Sequence, residues 1–129
     1  MRKALSLIEL IIVLIVVGII AGLGTPFYRK AVDRAKSRGS VAQLRLIQAA
    51  ENMYKLMEKS YLGCSGYAAC NTALNIDLPD DGWTYEIDQV TGTNFRGRAS
   101  MSMPDGTCTY TIDAAQINPS YNQYCVYEP

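Results

Sequence analysis

The sequence predicts an α+β fold in which a long N-terminal α-helix packs on a small antiparallel β-sheet. Two observations support this fold class. Residues 5–62 are first apolar and then carry apolar residues at helical spacing, whereas residues 83–113 contain three stretches with period-two alternation. The 129 residues are enough for one globular domain besides the helix. We expect the first half of the helix to span a membrane and the second half to be amphipathic.

The first half of the predicted helix is apolar on every side. Residues 5–23 are interrupted only by Ser6, Glu9 and small residues such as Gly18. This run of 19 residues is close to the roughly 20 that cross a bilayer as a helix. Glycine and proline weaken helices, and four of them occur here and shortly after. We expect the helix to bend or lose hydrogen bonds at these positions in an assembled form: Gly18, Gly22, Gly24 and Pro26.

After Pro26 the pattern changes to that of an amphipathic helix. Apolar or small residues recur every three or four positions, which places them in one stripe. The stripe contains Tyr28, Val32, Ala35, Gly39, Ala42, Leu46, Ala49, Met53 and Met57. We expect this stripe to pack on the sheet and the helix to end near Leu62, where Gly63 follows.

The predicted sheet is a three-stranded meander. Residues 83–88, 95–103 and 108–113 each alternate apolar with polar side chains, as half-buried strands do. The sequence Pro104-Asp105-Gly106 favours a tight turn between the last two strands. Residues 63–82 are predicted to be a connecting loop and residues 114–129 an irregular tail.

Four cysteines follow the apolar run, and their even number favours two disulfides formed in an oxidising compartment. We expect Cys64–Cys70 and Cys108–Cys125, because each pair closes a short loop inside one structural unit. A zinc site is the weaker alternative, since no pair has the close spacing of a zinc motif and histidine is absent.

Composition argues against several classes of protein. The net charge is zero, so we expect no nucleic-acid partner. No nucleophile-and-base pair or cofactor motif is evident, so we expect neither an enzyme nor a cofactor. Asp77, Asp80 and Asp81 lie close together, and this cluster is either a turn or a calcium site.

Glu9 does not fit a simple membrane anchor. A carboxylate in a membrane helix costs about 2–3 kcal/mol near the bilayer centre and less near an interface, so it should have a partner. No Lys or Arg lies between Glu9 and Arg29. A new amino terminus, created if a short leader were removed, would supply the missing positive charge.

The run Ala4-Leu5-Ser6-Leu7-Ile8-Glu9-Leu10 resembles the cleavage and methylation motif of type IV prepilins. The resemblance implies cleavage between Ala4 and Leu5 and N-methylation of Leu5. We expect a charge pair between Glu9 and the Leu5 amine, either across two subunits, where it guides assembly, or within one chain, since residues four apart share a helix face. Gly18 and Pro26 also fall where the family has its glycine and its helix-bending proline. Two positions differ, because Ala4 replaces the usual glycine and Leu5 the usual phenylalanine.

The resemblance implies the structural subunit of a type IV pilus-like extracellular filament. The chain then divides into a cleaved leader (1–4), a membrane-spanning and polymerisation half (5–26), an amphipathic half (27–62) and a globular head (63–129). The implied partners are further copies of the chain, a prepilin peptidase, the inner-membrane assembly machinery and, before assembly, the bacterial inner membrane. A pseudopilin of a type II secretion system or a minor pilin is the alternative within the family.

Two other interpretations of the N-terminus remain open. One is an ordinary secretory signal cleaved near residues 22–24, and the other is an anchored protein that never polymerises. The distribution of basic residues argues against a head outside the cell, because basic residues flanking a membrane span are more frequent on its cytoplasmic side. Two basic residues precede the span and four follow it: Arg2 and Lys3, then Arg29, Lys30, Arg34 and Lys36. The cysteines and the leader motif favour the head outside.

Overall fold

A computed structural model describes residues 6–129 and confirms the α+β fold. A long helix is followed by a five-stranded antiparallel sheet and one short helix. The elements are α1 (Leu7–Glu58), β1 (Cys64–Ser65), α2 (Tyr67–Leu74), β2 (Thr84–Asp88), β3 (Arg96–Met103), β4 (Gly106–Asp113) and β5 (Ser120–Tyr121).

The chain divides into two compact units, Met1–Asp33 and Arg34–Pro129. In the first unit the structure describes the beginning of α1, whose apolar side chains from Leu7 to Ala31 are exposed. Ala4 and Leu5, the residues of the expected cleavage and methylation, lie outside the described residues. By length and composition α1 is able to cross a membrane.

Pro26 lies inside α1. Proline has no N–H, so the carbonyl of Gly22 loses its usual helical partner. At the preceding position, the Thr25 hydroxyl donates a hydrogen bond of 2.9 Å to the carbonyl oxygen of Ala21. The expected weakening at Gly18, Gly22, Gly24 and Pro26 concerns an assembled form and stays a prediction.

The second unit is built around the sheet, whose strands are ordered β1-β2-β3-β4-β5. β2, β3 and β4 are the predicted meander, and the two-residue strands β1 and β5 extend it at either edge. Met103 pairs with Gly106 across the predicted turn. Gly106 has φ of +148°, and a Cβ there would come within 2.7 Å of the Tyr124 ring, so the turn requires glycine.

One face of the sheet supplies most of the core. Tyr85, Tyr110 and Ile112 are fully buried there, and Leu44 and Ile47 of α1 are fully buried against them. The opposite face carries the intervening polar residues of the strands, which explains their alternating pattern.

The segment predicted as a loop, residues 63–82, contains α2, which ends at Asn75 in a left-handed conformation. Cys64 is bonded to Cys70, which joins β1 to α2, and Cys108 is bonded to Cys125, which joins β4 to the tail. α1 ends at Glu58, four residues before the predicted end.

Candidate assembly surface

The face of α1 that packs on the sheet is not the predicted stripe. The buried residues of α1 are Ser37, Ser40, Val41, Leu44, Ile47 and Glu51. The expectation that the stripe through Leu46 and Met53 covers the sheet is therefore wrong.

Burial of Val41, Leu44 and Ile47 in the core and hydrogen bonds of polar side chains together hold this orientation of the helix. Gln48 donates hydrogen bonds of 2.7 and 2.8 Å to the carbonyl oxygens of Asp113 and Gln116, just after β4. Arg45 donates a bond of 2.8 Å to the side-chain oxygen of Asn118. These bonds hold the polar residues of α1 toward the sheet and its following loop, so the stripe faces outward.

Glu51 is also turned inward, with its side chain fully buried. Its Oε2 accepts a hydrogen bond of 3.0 Å from the Leu62 backbone N–H, and its Oε1 is buried with no partner. Burial raises the pKa of this carboxyl above its usual value of 4.5, and the bond from Leu62 partly opposes that shift. Glu51 thus holds the segment after α1 through its bond to Leu62, and burial of its carboxyl group opposes ionisation.

The predicted stripe lies opposite the buried face. At about 100° per residue, Met53 is about 180° around the helix from Leu44. We call the exposed part of this stripe the outer stripe, and it consists of Ala42, Leu46, Ala49, Met53 and Met57. Met53 is 64% exposed and Met57 is 71% exposed. An apolar helix face of this extent, open to solvent, is typical of an interface.

A groove runs beside the outer stripe, between α1 and the end of α2. Its volume is about 320 Å³, and its lining is mainly apolar. Met53 and Met57 form one wall, and Leu74 and Ile76 form the other. The outer stripe and the groove form a concave apolar surface on the second unit.

The first unit carries a second apolar surface, the apolar segment of residues 7–23. Its large side chains are between 45% and 76% exposed, on every side of the helix. Glu9 is exposed within it, and among residues 6–129 no cation lies within ion-pair distance of its carboxylate. Its expected partner, the Leu5 amine, lies outside the described residues.

The outer face of the sheet holds a cluster of ion pairs. Asp88 accepts two hydrogen bonds from Arg96, of 2.8 and 2.7 Å, and one of 2.6 Å from Arg98. Arg98 also lies 3.6 Å from Glu86. The hydrogen bonds from Arg96 hold the pKa of the Asp88 carboxyl below its usual value of 3.8. The cluster links β2 to β3 and leaves this face strongly polar.

Asp81, one of the three aspartates considered as a calcium site, behaves as a turn residue. Asp81 accepts a hydrogen bond of 3.1 Å from the backbone N–H of Trp83 and one of 3.4 Å from the Tyr85 hydroxyl. Within residues 6–129, no three metal-binding side chains of the His, Cys, Asp or Glu type come together. Burial, with the neighbouring Asp81, raises the pKa of Tyr85 above its usual value, which keeps this phenol neutral.

The residues singled out in the sequence fall in both units. Glu9 and the four residues of the expected helix break lie in the first unit, and the four cysteines lie in the second. Sequence reasoning missed Leu74 and Ile76 as a wall of the groove. The sequence feature that could have indicated this wall is the pair of apolar residues on either side of Asn75. This pair follows Cys70 within the segment predicted as a loop.

Comparison with protein-family models, with curated proteins and with solved structures finds no match to this chain.

Proposed function

We propose that this protein is a structural subunit of a pilus-like extracellular filament, assembled through α1 after removal of a short leader. The observation that carries the proposal is that α1 has two exposed apolar surfaces, the apolar segment and the outer stripe with its groove. Exposed apolar area of this size calls for a partner, and the two surfaces differ in a way that fits two partners.

Before assembly, the apolar segment is held in the bacterial inner membrane. Its exposure on every side fits a lipid environment, which contacts the helix all round. During assembly it leaves the lipid and packs against α1 of neighbouring copies. The outer stripe and groove supply further apolar contacts in those copies.

Glu9 sets the register of this packing. Cleavage between Ala4 and Leu5 creates a positive amine on Leu5, and Glu9 carries the matching negative charge. Each group alone is costly in a poorly hydrated setting, and pairing offsets much of that cost. A pair formed between two subunits fixes the axial position of the incoming chain, whereas apolar packing alone does not.

The test compares surface filaments with membrane-held subunit in cells that carry Glu9→Gln or Glu9→Ala. We expect normal amounts of subunit in the membrane and few or no filaments in the sheared fraction. Glu58→Gln is the matched control, because it removes an exposed carboxylate of α1 outside the apolar segment. Intact mass of sheared wild-type filaments should give a chain that begins at an N-methylated Leu5.

Normal filaments from both Glu9 variants would refute the registering role. A mature chain beginning at Met1 or near Gly24 would refute the processing. Wild-type subunit that stays in the membrane and never enters the sheared fraction would favour a non-polymerising anchored protein instead.

A further inference from the structure

Two aromatic and two basic side chains follow one another at the end of the apolar part of α1 in the first unit. Phe27 is 75% exposed and Tyr28 is 71% exposed, and Arg29 and Lys30 are exposed as well. The ion pairs found within residues 6–129 all join β2 to β3, so they leave Arg29 and Lys30 without an anionic partner there. Two exposed aromatic rings followed by two exposed cations match a ligand that is both apolar and anionic.

Their position along the helix indicates where that ligand lies. The 20 residues 7–26 cover about 30 Å at 1.5 Å per residue. This length equals the thickness of the hydrocarbon core of a bilayer, about 30 Å. When Leu7 lies at one boundary of the core, Phe27 and Tyr28 lie at the other, where aromatic rings concentrate in membrane proteins. Arg29 and Lys30 then lie at the depth of the phosphate groups.

We infer that residues 27–30 form an interfacial anchor that binds the headgroups of anionic phospholipids. The inference rests on the membrane insertion proposed above, and it adds the class of lipid and the residues that select it. The rings of Phe27 and Tyr28 pack at the boundary of the acyl chains, and the cations of Arg29 and Lys30 contact lipid phosphates. A zwitterionic lipid offers no net charge, whereas each cation near an anionic surface strengthens binding about fivefold.

Such an anchor also accounts for the unusual placement of charge. Arg29 and Lys30 follow the span on the side that the proposal places outside the cytoplasm, against the common bias of basic residues. Anionic headgroups supply their counter-charge while the subunit is held in the membrane.

The test reconstitutes the full chain in phosphatidylcholine vesicles that contain a trace of spin-labelled phosphatidylglycerol or spin-labelled phosphatidylcholine. Electron paramagnetic resonance gives the fraction of each lipid held by the protein. We expect wild type to prefer phosphatidylglycerol by about fivefold or more at low salt. The preference should fall toward one in 1 M salt and in the double variant Arg29→Gln, Lys30→Gln.

Two further variants separate charge at this position from charge in general. Arg29→Lys with Lys30→Arg should keep the preference, because it keeps both cations. Lys36→Gln with Lys59→Gln removes the same charge from the second unit and should also keep it. All variants should show the same thermal unfolding of the second unit as wild type.

Equal retention of the two lipids by wild type would overturn the anchor, as would an unchanged preference in the Arg29→Gln, Lys30→Gln variant. A wild-type chain released from the vesicles by alkaline washing would overturn the membrane insertion and the anchor together. A chain that resists washing and shows no lipid preference would overturn the anchor alone.

Discussion

Replacing Met53 and Met57 by glutamine tests whether the outer stripe is an interface. Glutamine has a similar length and similar helix propensity, so the helix itself should be unaffected. Full burial of a methionine contributes about 1.5–3 kcal/mol. Met53 is 64% exposed and Met57 71%, so burying the remainder in a neighbouring subunit contributes about 2–4 kcal/mol for the pair. Loss of this term lowers the association constant about 30- to 1000-fold.

The assay separates assembly from folding. Sheared surface filaments and membrane-held subunit are quantified in parallel, and thermal unfolding is measured on the full chain in detergent. We expect filaments to be strongly reduced, with the membrane-held amount and the unfolding temperature unchanged, because both side chains are already solvent-exposed in the isolated subunit. Val90→Thr with Ile117→Thr is the control, since these residues are 38% and 86% exposed and lie outside the outer stripe.

Wild-type filament levels in the Met53→Gln, Met57→Gln variant would refute the reasoning. An equal loss of filaments in the Val90→Thr, Ile117→Thr control would refute it as well, because exposed apolar residues in general would then be responsible.

Three other changes test the second unit, each by denaturant unfolding. Leu44→Ala, at a fully buried position, should destabilise the fold by about 2–5 kcal/mol, and a cost below 1 kcal/mol would contradict the packing described. Because the pKa of Glu51 is raised, its contribution to stability is greatest below pH 4.5 and is lost as pH rises through the folded pKa. Glu51→Gln should remove this fall above pH 4.5, and an unchanged profile would exclude Glu51 as its source. The lowered pKa of Asp88 contributes stability above pH 3.8 that is lost as pH falls through the folded pKa. Asp88→Asn should therefore be less stable than wild type at neutral pH, with the difference disappearing in acid, and a constant difference would contradict the ion pairs.

The helix and the meander could be predicted because local patterns determine them. Period-two alternation in residues 83–88, 95–103 and 108–113 follows directly from a sheet with one buried face. The two-residue strands β1 and β5 could not be predicted, since pairing with β2 and β4 defines them rather than any pattern of their own.

The orientation of α1 could not be predicted from apolar spacing. The stripe through Met53 is more apolar than the face through Glu51, so its composition favours burying the stripe. The structure instead buries Gln48 in part and Glu51 fully. Backbone carbonyls after β4 accept hydrogen bonds from Gln48, and the Leu62 N–H after α1 satisfies one of the two carboxylate oxygens of Glu51. A second apolar stripe at helical spacing is the one that the structure buries, and it consists of Val41, Leu44 and Ile47. Apolar spacing alone does not choose between the two stripes, and the candidate assembly surface is the stripe left exposed.

The expectation of a charge partner for Glu9 came from the sequence and not from the structure. A single carboxylate in an apolar run implies a partner, and this implication depends on sequence alone. The groove wall formed by Leu74 and Ile76 depends on how α2 packs, so only the three-dimensional structure identifies it.

The bond between Cys108 and Cys125 has a consequence for timing. Besides this bond, the tail is held by the short strand β5 and by hydrogen bonds such as that of 2.7 Å from the Tyr110 hydroxyl to the carbonyl oxygen of Tyr127. Thiols stay reduced in the cytosol, so the tail is covalently fixed only after the chain reaches an oxidising compartment. If the subunit is exported as proposed, maturation of the second unit is tied to that export, and a subunit retained on the cytosolic side is distinguishable by its reactive thiols.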